Sequence, residues 1–136
     1  MTLRLDLLVP DEPLRRAAPL PVTVTLINTG PSAVLLNRRM APGYVDSDSR
    51  EVYFDVSGDY GRRKYERPAP ARDDFAPLAP GARISALIDL LGWYRIRDAG
   101  SYRVVAHYRC DEDWVDPPLG TFAGVVDSDP VTVHVQ

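Results

Sequence analysis

Residues 101–108 read Ser-Tyr-Arg-Val-Val-Ala-His-Tyr and carry the clearest pattern in the chain. Tyr102, Val104, Ala106 and Tyr108 occupy alternate positions in this segment. Side chains two residues apart share one face of a β-strand, so an apolar period of two indicates a strand that is buried on one side. The segment therefore predicts a central strand of a β-sheet protein.

The same alternation recurs on both sides of this segment. It covers residues 3–7, 22–27, 52–56, 84–90 and 131–135, with shorter apolar runs at 33–36 and 122–126. Turn residues separate the runs, and the 13 prolines and 9 glycines work against long helices. A chain of 136 residues suffices for one domain of ordinary size. We predict an all-β fold, a single antiparallel β-sandwich of seven or eight strands that spans residues 1–136.

Residues 84–91 allow a second interpretation, because apolar side chains also recur there at helical spacing. Pro80-Gly81 before the segment, Gly92 after it and two β-branched isoleucines favour a strand. Leu87 interrupts the polar face of that strand. An apolar residue on a polar face predicts that something covers it locally.

Residues 98–102, Asp-Ala-Gly-Ser-Tyr, resemble the tyrosine corner of immunoglobulin-like sandwiches. In that arch a tyrosine hydroxyl bonds to a main-chain carbonyl a few residues upstream, while the ring fills the core. The position two residues after Tyr102, a cysteine in antibody domains, is Val104 here. Cys110 is the only cysteine in the chain. We therefore expect an immunoglobulin-like sandwich without a disulfide.

A longer stretch resembles the small β-rich prosegment of deuterolysin-type metalloproteases and their bacterial relatives. The similar segments are Tyr-Gly-Arg-Arg at 60–63, Asp-Phe-Ala-Pro-Leu-Ala-Pro-Gly at 74–81, Ile-Asp-Leu at 88–90, Trp-Tyr-Arg-Ile at 93–96 and Gly-Ser-Tyr at 100–102. The chain has no His-Glu-x-x-His motif, so the resemblance concerns the non-catalytic part of those proteins. It implies a folding assistant, an inhibitor or a recognition domain that covers a partner protein.

Charge and sequence patterns make several other classes improbable. The net charge of −3 is unlike that of most nucleic-acid-binding domains, although arginines cluster at 38–39 and 62–63. No run of apolar residues is long enough to span a membrane. Arg4 and Asp6 interrupt the first eight residues, so no signal peptide is predicted there. The expectation is a cytoplasmic protein, and the alternative is a mature piece whose leader has been removed. No catalytic triad or phosphate-binding loop can be assembled, so we expect neither an enzyme nor a cofactor.

The loop before the arch offers a candidate binding site. Trp93, Tyr94 and Arg95 are residue types that are enriched at interaction hot spots, and Trp114 provides a second aromatic anchor in an acidic loop. The competing interpretation is that Trp93 or Tyr94 closes one end of the core. The sequence leaves both interpretations open.

Acidic loops suggest a calcium site, which hard oxygen ligands favour. The candidate ligands are Asp46 and Asp48, near Glu51, and Asp111 and Asp113. Tryptophan in a loop also suits carbohydrate binding. A calcium-binding or carbohydrate-binding adhesion module is therefore the alternative function.

The two histidines could form another metal site. His107 and His134 fall on the polar faces of predicted strands and could approach each other if those strands are neighbours. Two histidines without a fixed spacing are a poor signal, so ordinary cross-strand surface positions are the preferred interpretation. Cys110 is followed by acidic residues, which disfavour a reactive thiolate.

The preferred interpretation is a non-catalytic binding domain whose partner is another protein, in the manner of a protease prosegment or inhibitor. A homodimer is a further expectation. Both the short N-terminal strand and the valine-rich C-terminal strand could present an edge to a second copy.

Overall fold

The computed structural model describes residues 2–15, 18–42, 51–57, 71–94, 96, 98–110 and 118–136. The strands in this part of the chain are β1 (Leu3–Leu8), β2 (Pro21–Asn28), β3 (Val34–Asn37), β4 (Val52–Val56), β5 (Phe75–Leu78), β6 (Arg83–Asp89), β7 (Gly100–Cys110), β8 (Gly124–Asp127) and β9 (Val131–Val135). Short 3₁₀ turns lie at Arg72–Asp74 and Leu90–Gly92. No helix of the described residues is long and apolar enough to cross a membrane. The predicted all-β class is confirmed.

Strand pairing produces three sheets, in which all paired strands are antiparallel. The order is β1-β2-β6 in the first sheet, and β3 pairs with β5 in a second. In the third sheet, β7 pairs with β4 along one edge and with β8 and then β9 along the other. The long strand predicted around residues 101–108 is thus the centre of the largest sheet.

The transition from β8 to β9 places extra residues opposite β7. His107 pairs with Asp127, whereas Val104 pairs with Val131, so three residues of one strand lie opposite two of the other. Ser128 bridges the resulting gap. Its main-chain N–H donates to the carbonyl of Ala106 over 2.8 Å, and its hydroxyl accepts from the Ala106 N–H, also over 2.8 Å. The bulge therefore leaves both main-chain groups of Ala106 satisfied.

The core contains the alternate apolar side chains that the sequence pattern identified. Buried members include Val22, Val24 and Leu26 of β2, and Tyr102, Val104, Ala106 and Tyr108 of β7. Cys110 is buried and forms no disulfide, as expected of this fold. The hydrophobic effect over this contiguous cluster holds the sheets together.

The predicted arch before β7 has the geometry of a tyrosine corner. The Tyr102 hydroxyl donates to the main-chain carbonyl of Asp98 over 2.5 Å. The ring of Tyr102 is buried against the core. The sequence motif therefore identified both the hydrogen bond and the residue that makes it.

The turn at residues 28–31 allows either a hairpin between the two apolar runs beside it or a crossing of the chain to another sheet. The structure has the second arrangement, since the run at 33–36 forms β3 and pairs with β5. Strand β5 is only four residues long and contains Pro77, so its sequence lacks the alternation that predicts a strand.

The C-terminal end of the valine-rich strand β9 has a neighbour on its outer edge. Leu14 lies beside it in a parallel bridge. The Leu14 N–H donates to the carbonyl of His134 over 2.9 Å, and the Gln136 N–H donates to the carbonyl of Leu14 over 2.6 Å. These bonds occupy the edge at residues 134–136, and pairing of an edge strand with a second copy stays a prediction.

The segment 84–91 is a strand over most of its length, as predicted, and ends in the 3₁₀ turn at Leu90–Gly92. The cover predicted for Leu87 is not found, since this side chain is 75% exposed. The prediction of local cover is thus wrong for the isolated chain.

Candidate partner-binding site

The aromatic pair predicted to form an exposed contact is buried. Trp93 is 9% exposed and Tyr94 only 1% exposed. Both belong to the hydrophobic core, and the Tyr94 ring meets Phe54 edge-on with 6.1 Å between ring centres. The prediction of an exposed aromatic patch at Trp93 and Tyr94 is wrong. The 3₁₀ turn at Leu90–Gly92 returns the chain to the sheet and directs both rings inward.

Tyr94 has a structural role at the outer edge of β4. Its hydroxyl donates to the carbonyl of Phe54 over 3.0 Å and accepts from the N–H of the same residue, also over 3.0 Å. Phe54 lies opposite Ala106, whose own main-chain groups bond to Ser128 on the far side of β7. The N–H and carbonyl of Phe54 consequently point away from β7. One phenol supplies the acceptor and the donor that a neighbouring strand would have provided.

The buried carboxylate of Glu51 lies at the start of the same outer edge of β4. Glu51 is fully buried, and its carboxylate accepts from the Asn37 amide, from Arg39 Nε over 2.7 Å and from the Ala41 N–H over 2.9 Å. The Val52 N–H in turn donates to the carbonyl of Ala41 over 2.9 Å. We call residues 37–41 together with Glu51 the carboxylate latch. It holds a chain segment against the outer edge of β4.

The latch changes the interpretation of Glu51. In the sequence this residue follows Asp46 and Asp48 and looks like part of an acidic loop. In the fold its carboxylate is occupied by an amide, a guanidinium and a main-chain N–H. A carboxylate with these donors around it is a structural anchor. It is not available as a calcium ligand.

The outer edge of β6 is different, because no described residue pairs with it. Asn28 bonds to Ala82 and Leu90 bonds to Leu20, so the even-numbered residues of β6 bond to β2. By strand alternation, the N–H and carbonyl groups of Arg83, Ser85, Leu87 and Asp89 point outward. These four residues are exposed. The edge thus offers a row of main-chain donors and acceptors to a partner.

A surface groove lies beside the C-terminal half of this edge. Its volume is about 330 Å³, and residues 39–42 form one wall while residues 86–89 form the other. Gly92 and Trp93 also line it. Residues 39–41 of the carboxylate latch and the C-terminal half of β6 therefore line the same groove.

Apolar side chains continue from the groove across the outer face of the first sheet. Leu87 lies opposite Thr23, and Thr23 lies opposite Leu8 on β1. Leu8 is 68% exposed and Leu87 is 75% exposed. A large exposed leucine beside unpaired main-chain groups is typical of an interaction surface.

The histidines do not approach each other. His134 pairs with Ser101 at one end of β7, and its Nδ1 lies 2.9 Å from the Ser101 hydroxyl. His107 lies near the other end, where Nδ1 is 2.6 Å from Asp127 and Nε2 is 2.8 Å from Asp55. The two carboxylates meet opposite sides of the ring and cannot converge on one ion. The idea of a metal site shared by His107 and His134 is therefore wrong.

Tyr108 is the buried titratable group beside the latch. Its hydroxyl donates to the carbonyl of Asn37 over 2.7 Å. Burial raises the pKa of Tyr108 far above the ordinary tyrosine value, and the neighbouring Cys110 and Glu51 raise it further. The phenol is thus kept neutral and acts as a hydrogen-bond donor to the latch.

The remaining predicted site residues lie outside the described part of the chain. They are Arg95 and Trp114 among the contact residues, and Asp46, Asp48, Asp111 and Asp113 among the calcium ligands. Among the described residues, no group of three or more histidine, cysteine, aspartate or glutamate side chains is arranged to hold a metal ion. No protein-family model matches this chain, and no curated protein matches it.

Sequence reasoning did not identify the outer edge of β6 as a binding site. One signal was present in Leu87, the apolar residue on an otherwise polar face. Which strand would be left without a neighbour depends on long-range pairing, which residues 83–89 do not reveal by themselves.

Proposed function

We propose that this protein is a non-catalytic protein-binding domain that takes an extended polypeptide segment onto the outer edge of β6. The observation that carries the proposal is the outer edge of β6, which pairs with no described residue and adjoins the groove and the exposed Leu87. An added strand gains main-chain hydrogen bonds along such an edge, while pockets for alternate side chains provide specificity.

The chemistry of the edge favours a polypeptide over a small ligand. Its polar groups are repeated main-chain donors and acceptors spaced along a strand, which another strand matches in period. The groove is lined by residues 86–89, so a segment added to this edge would lie beside it.

The immunoglobulin-like architecture belongs to the same proposal. The tyrosine corner at Tyr102 and the parallel contact of Leu14 with β9 support it. The resemblance of residues 60–104 to a metalloprotease prosegment supports a protein partner and a covering role. The calcium-binding or carbohydrate-binding alternative stays a prediction, since its candidate residues lie outside the described chain.

The test uses a random peptide library displayed for selection against the immobilised protein. Selected peptides are then measured with Ser85→Pro, which removes an outward N–H but no hydrogen bond to β2. The matched control is Ser85→Ala, which loses the hydroxyl contact with Thr25 and keeps the main chain intact.

We expect Ser85→Pro to weaken peptide binding at least about tenfold, the size expected when one or two main-chain hydrogen bonds are lost. Ser85→Ala should bind as the wild type does. Circular dichroism confirms that both variants are folded. Selected peptides that bind Ser85→Pro unchanged, or a library that yields no binder, would contradict the proposal.

A further inference from the structure

We propose that the segment added to β6 is β6 of a second copy of this chain, paired antiparallel about a two-fold axis at Ala86. The inference rests on the proposed function, because it uses the same open edge. It joins two three-stranded sheets into one continuous sheet. It also supplies the cover for Leu87 that the isolated chain lacks.

The hydrogen-bond pattern restricts the possible registers. The outward main-chain groups belong to Arg83, Ser85, Leu87 and Asp89, so odd-numbered residues must pair with odd-numbered residues of the second copy. An axis at Ala86 satisfies this condition. It places Ser85 opposite Leu87 of the second copy, and Arg83 opposite Asp89. Ala86 then faces its own equivalent in a pair without hydrogen bonds, where the two strands approach most closely.

The charges of Arg83 and Asp89 favour this register over the others that the hydrogen-bond pattern allows. With the axis at Ala86, Arg83 of each copy faces Asp89 of the other, which creates two cross-strand ion pairs. Moving the axis to Ser85 or to Leu87 removes both pairs. An axis at Leu87, for example, places Asp89 opposite Ser85.

Both charged side chains are available for this contact. Arg83 and Asp89 are exposed, and Arg83 makes no ion pair with any described residue. Asp89 accepts the N–H groups of Leu20 and Leu91 through Oδ1 alone. Its Oδ2 has no partner among the described residues and can accept from a guanidinium. The capping role of Asp89 and its role at the interface are therefore compatible.

Apolar contacts support the same arrangement. On the outer face, Leu87 lies opposite Ser85 of the second copy and diagonal to the other Leu87. Diagonal neighbours across paired strands lie within reach of long side chains, so the two leucines cover each other. On the inner face, Ile84 lies opposite Ile88. A two-fold interface is self-complementary, and the sequence of Arg83–Asp89 meets that requirement at both ends.

Cysteine cross-linking tests the register directly. In a Cys110→Ala background, Ala86→Cys should form an intermolecular disulfide, because the pair at the axis brings the Cα atoms within disulfide range. Ser85→Cys and Leu87→Cys are the matched controls. Both thiols are more exposed than that of Ala86→Cys, yet in this register neither faces its own equivalent. These two variants should cross-link with each other when mixed and far less with themselves.

Sedimentation velocity across a wide concentration range tests the association itself. We expect a concentration-dependent dimer, and Arg83→Glu should raise its dissociation constant at least about tenfold by placing like charges opposite each other. Arg4→Glu, the same charge reversal at an exposed arginine on β1, the opposite edge strand of the same sheet, should leave the dimer unchanged.

The outcomes separate this inference from the proposed function. A protein that stays monomeric at hundreds of micromolar overturns the dimer, and the peptide selection then shows whether the edge binds another polypeptide. A dimer that survives both Arg83→Glu and Ser85→Pro places the second copy elsewhere and also overturns the inference. Self-linking of Ser85→Cys or Leu87→Cys with no reaction of Ala86→Cys overturns the register.

Discussion

Strands β4 and β6 each lie at the edge of a sheet. The outer edge of β4 is hydrogen-bonded within the chain, whereas the outer edge of β6 has no partner among the described residues. Along β4, the Ala41 carbonyl receives the N–H of Val52, and the Tyr94 hydroxyl satisfies both main-chain groups of Phe54. Along β6, no described residue meets the outward groups. Apolar and polar residues alternate in both strands, so the local sequence patterns do not explain why one outer edge is hydrogen-bonded and the other is not.

The two edges differ in how deeply their outward residues are buried, and this explains why β4 has internal partners. Val52 and Phe54 are at most 1% exposed, so their outward main-chain groups cannot bond to water. An unpaired buried group costs about 1–3 kcal/mol, which makes internal partners necessary. The outward residues of β6 are exposed, and water satisfies their main-chain groups at little cost. A sheet edge can stay open for a partner only where solvent reaches it, and the outer edge of β6 meets that condition among the described residues.

The largest expected effect concerns the carboxylate latch at the β4 edge. Glu51→Ala leaves the buried Ala41 N–H and the Arg39 guanidinium without their acceptor. We expect the free energy of unfolding to fall by about 3–5 kcal/mol, as measured by urea denaturation. The control is Asp6→Ala, which removes an exposed pair with Arg4 and should change stability by less than about 0.5 kcal/mol. Equal midpoints for the two variants would mean that the latch does not hold the edge.

The second prediction isolates the hydroxyl of Tyr94. Tyr94→Phe keeps the ring in the core and removes the group that bonds to both main-chain groups of Phe54. We expect a loss of about 2–3 kcal/mol and faster hydrogen exchange at the Phe54 amide. Tyr102→Phe, which removes a single bond to the Asp98 carbonyl, should cost less. Unchanged exchange at Phe54 would show that water replaces the hydroxyl and that the edge is not sealed.

A smaller effect, with a defined pH dependence, is expected at Tyr108. At neutral pH, Tyr108→Phe removes the bond to the Asn37 carbonyl and should cost about 1 kcal/mol. Because the pKa of Tyr108 is raised in the folded protein, the unfolded chain loses this proton first as the pH passes about 10. The wild type then loses stability with rising pH through this group, and the variant does not.

The stability gap between wild type and Tyr108→Phe should therefore narrow above about pH 10. Urea denaturation at a series of pH values measures this gap. A gap that stays constant or widens with pH would show that the phenol ionises as readily in the folded protein as in the unfolded chain.

The smallest effect is expected along β6. It is measured as the rate of hydrogen exchange at individual amides, since the stability of the fold hardly changes. At low protein concentration, the amides of Ser85 and Leu87 should exchange much faster than those of Ile84 and Ala86, which bond to β2. Raising the concentration should slow the first pair selectively if a second copy adds its strand. Uniform protection along β6 at low concentration would mean that the edge is already covered within one chain.

Much of the fold could be predicted from local pattern. The period of two located β7 and most other strands, because each strand buries one face and exposes the other. The tyrosine corner could also be predicted from the sequence, since Tyr102 and Asp98 lie only four residues apart. Strand β5 was missed because four residues with a proline carry too little alternation.

The candidate site was much less predictable. The sequence could not decide whether Trp93 and Tyr94 face the core or the solvent, because the decision depends on a main chain forty residues away at Phe54. Glu51 looked like part of a solvated acidic loop, and its burial depends on Asn37 and Arg39. Leu87 was recognised as anomalous, but its meaning required knowledge of which edge has no neighbour.

The sequence by itself determined that this chain forms strands, where most of them begin and end, and which side chains enter the core. These properties follow from the short-range alternation of apolar and polar residues, which acts within each strand. Tertiary structure decided which strands pair. It also decided that Tyr94 and the carboxylate latch bond to the buried edge of β4, while the exposed edge of β6 has no partner among the described residues. Those outcomes arise from contacts between residues far apart in the chain, so the pattern within a single strand cannot determine them.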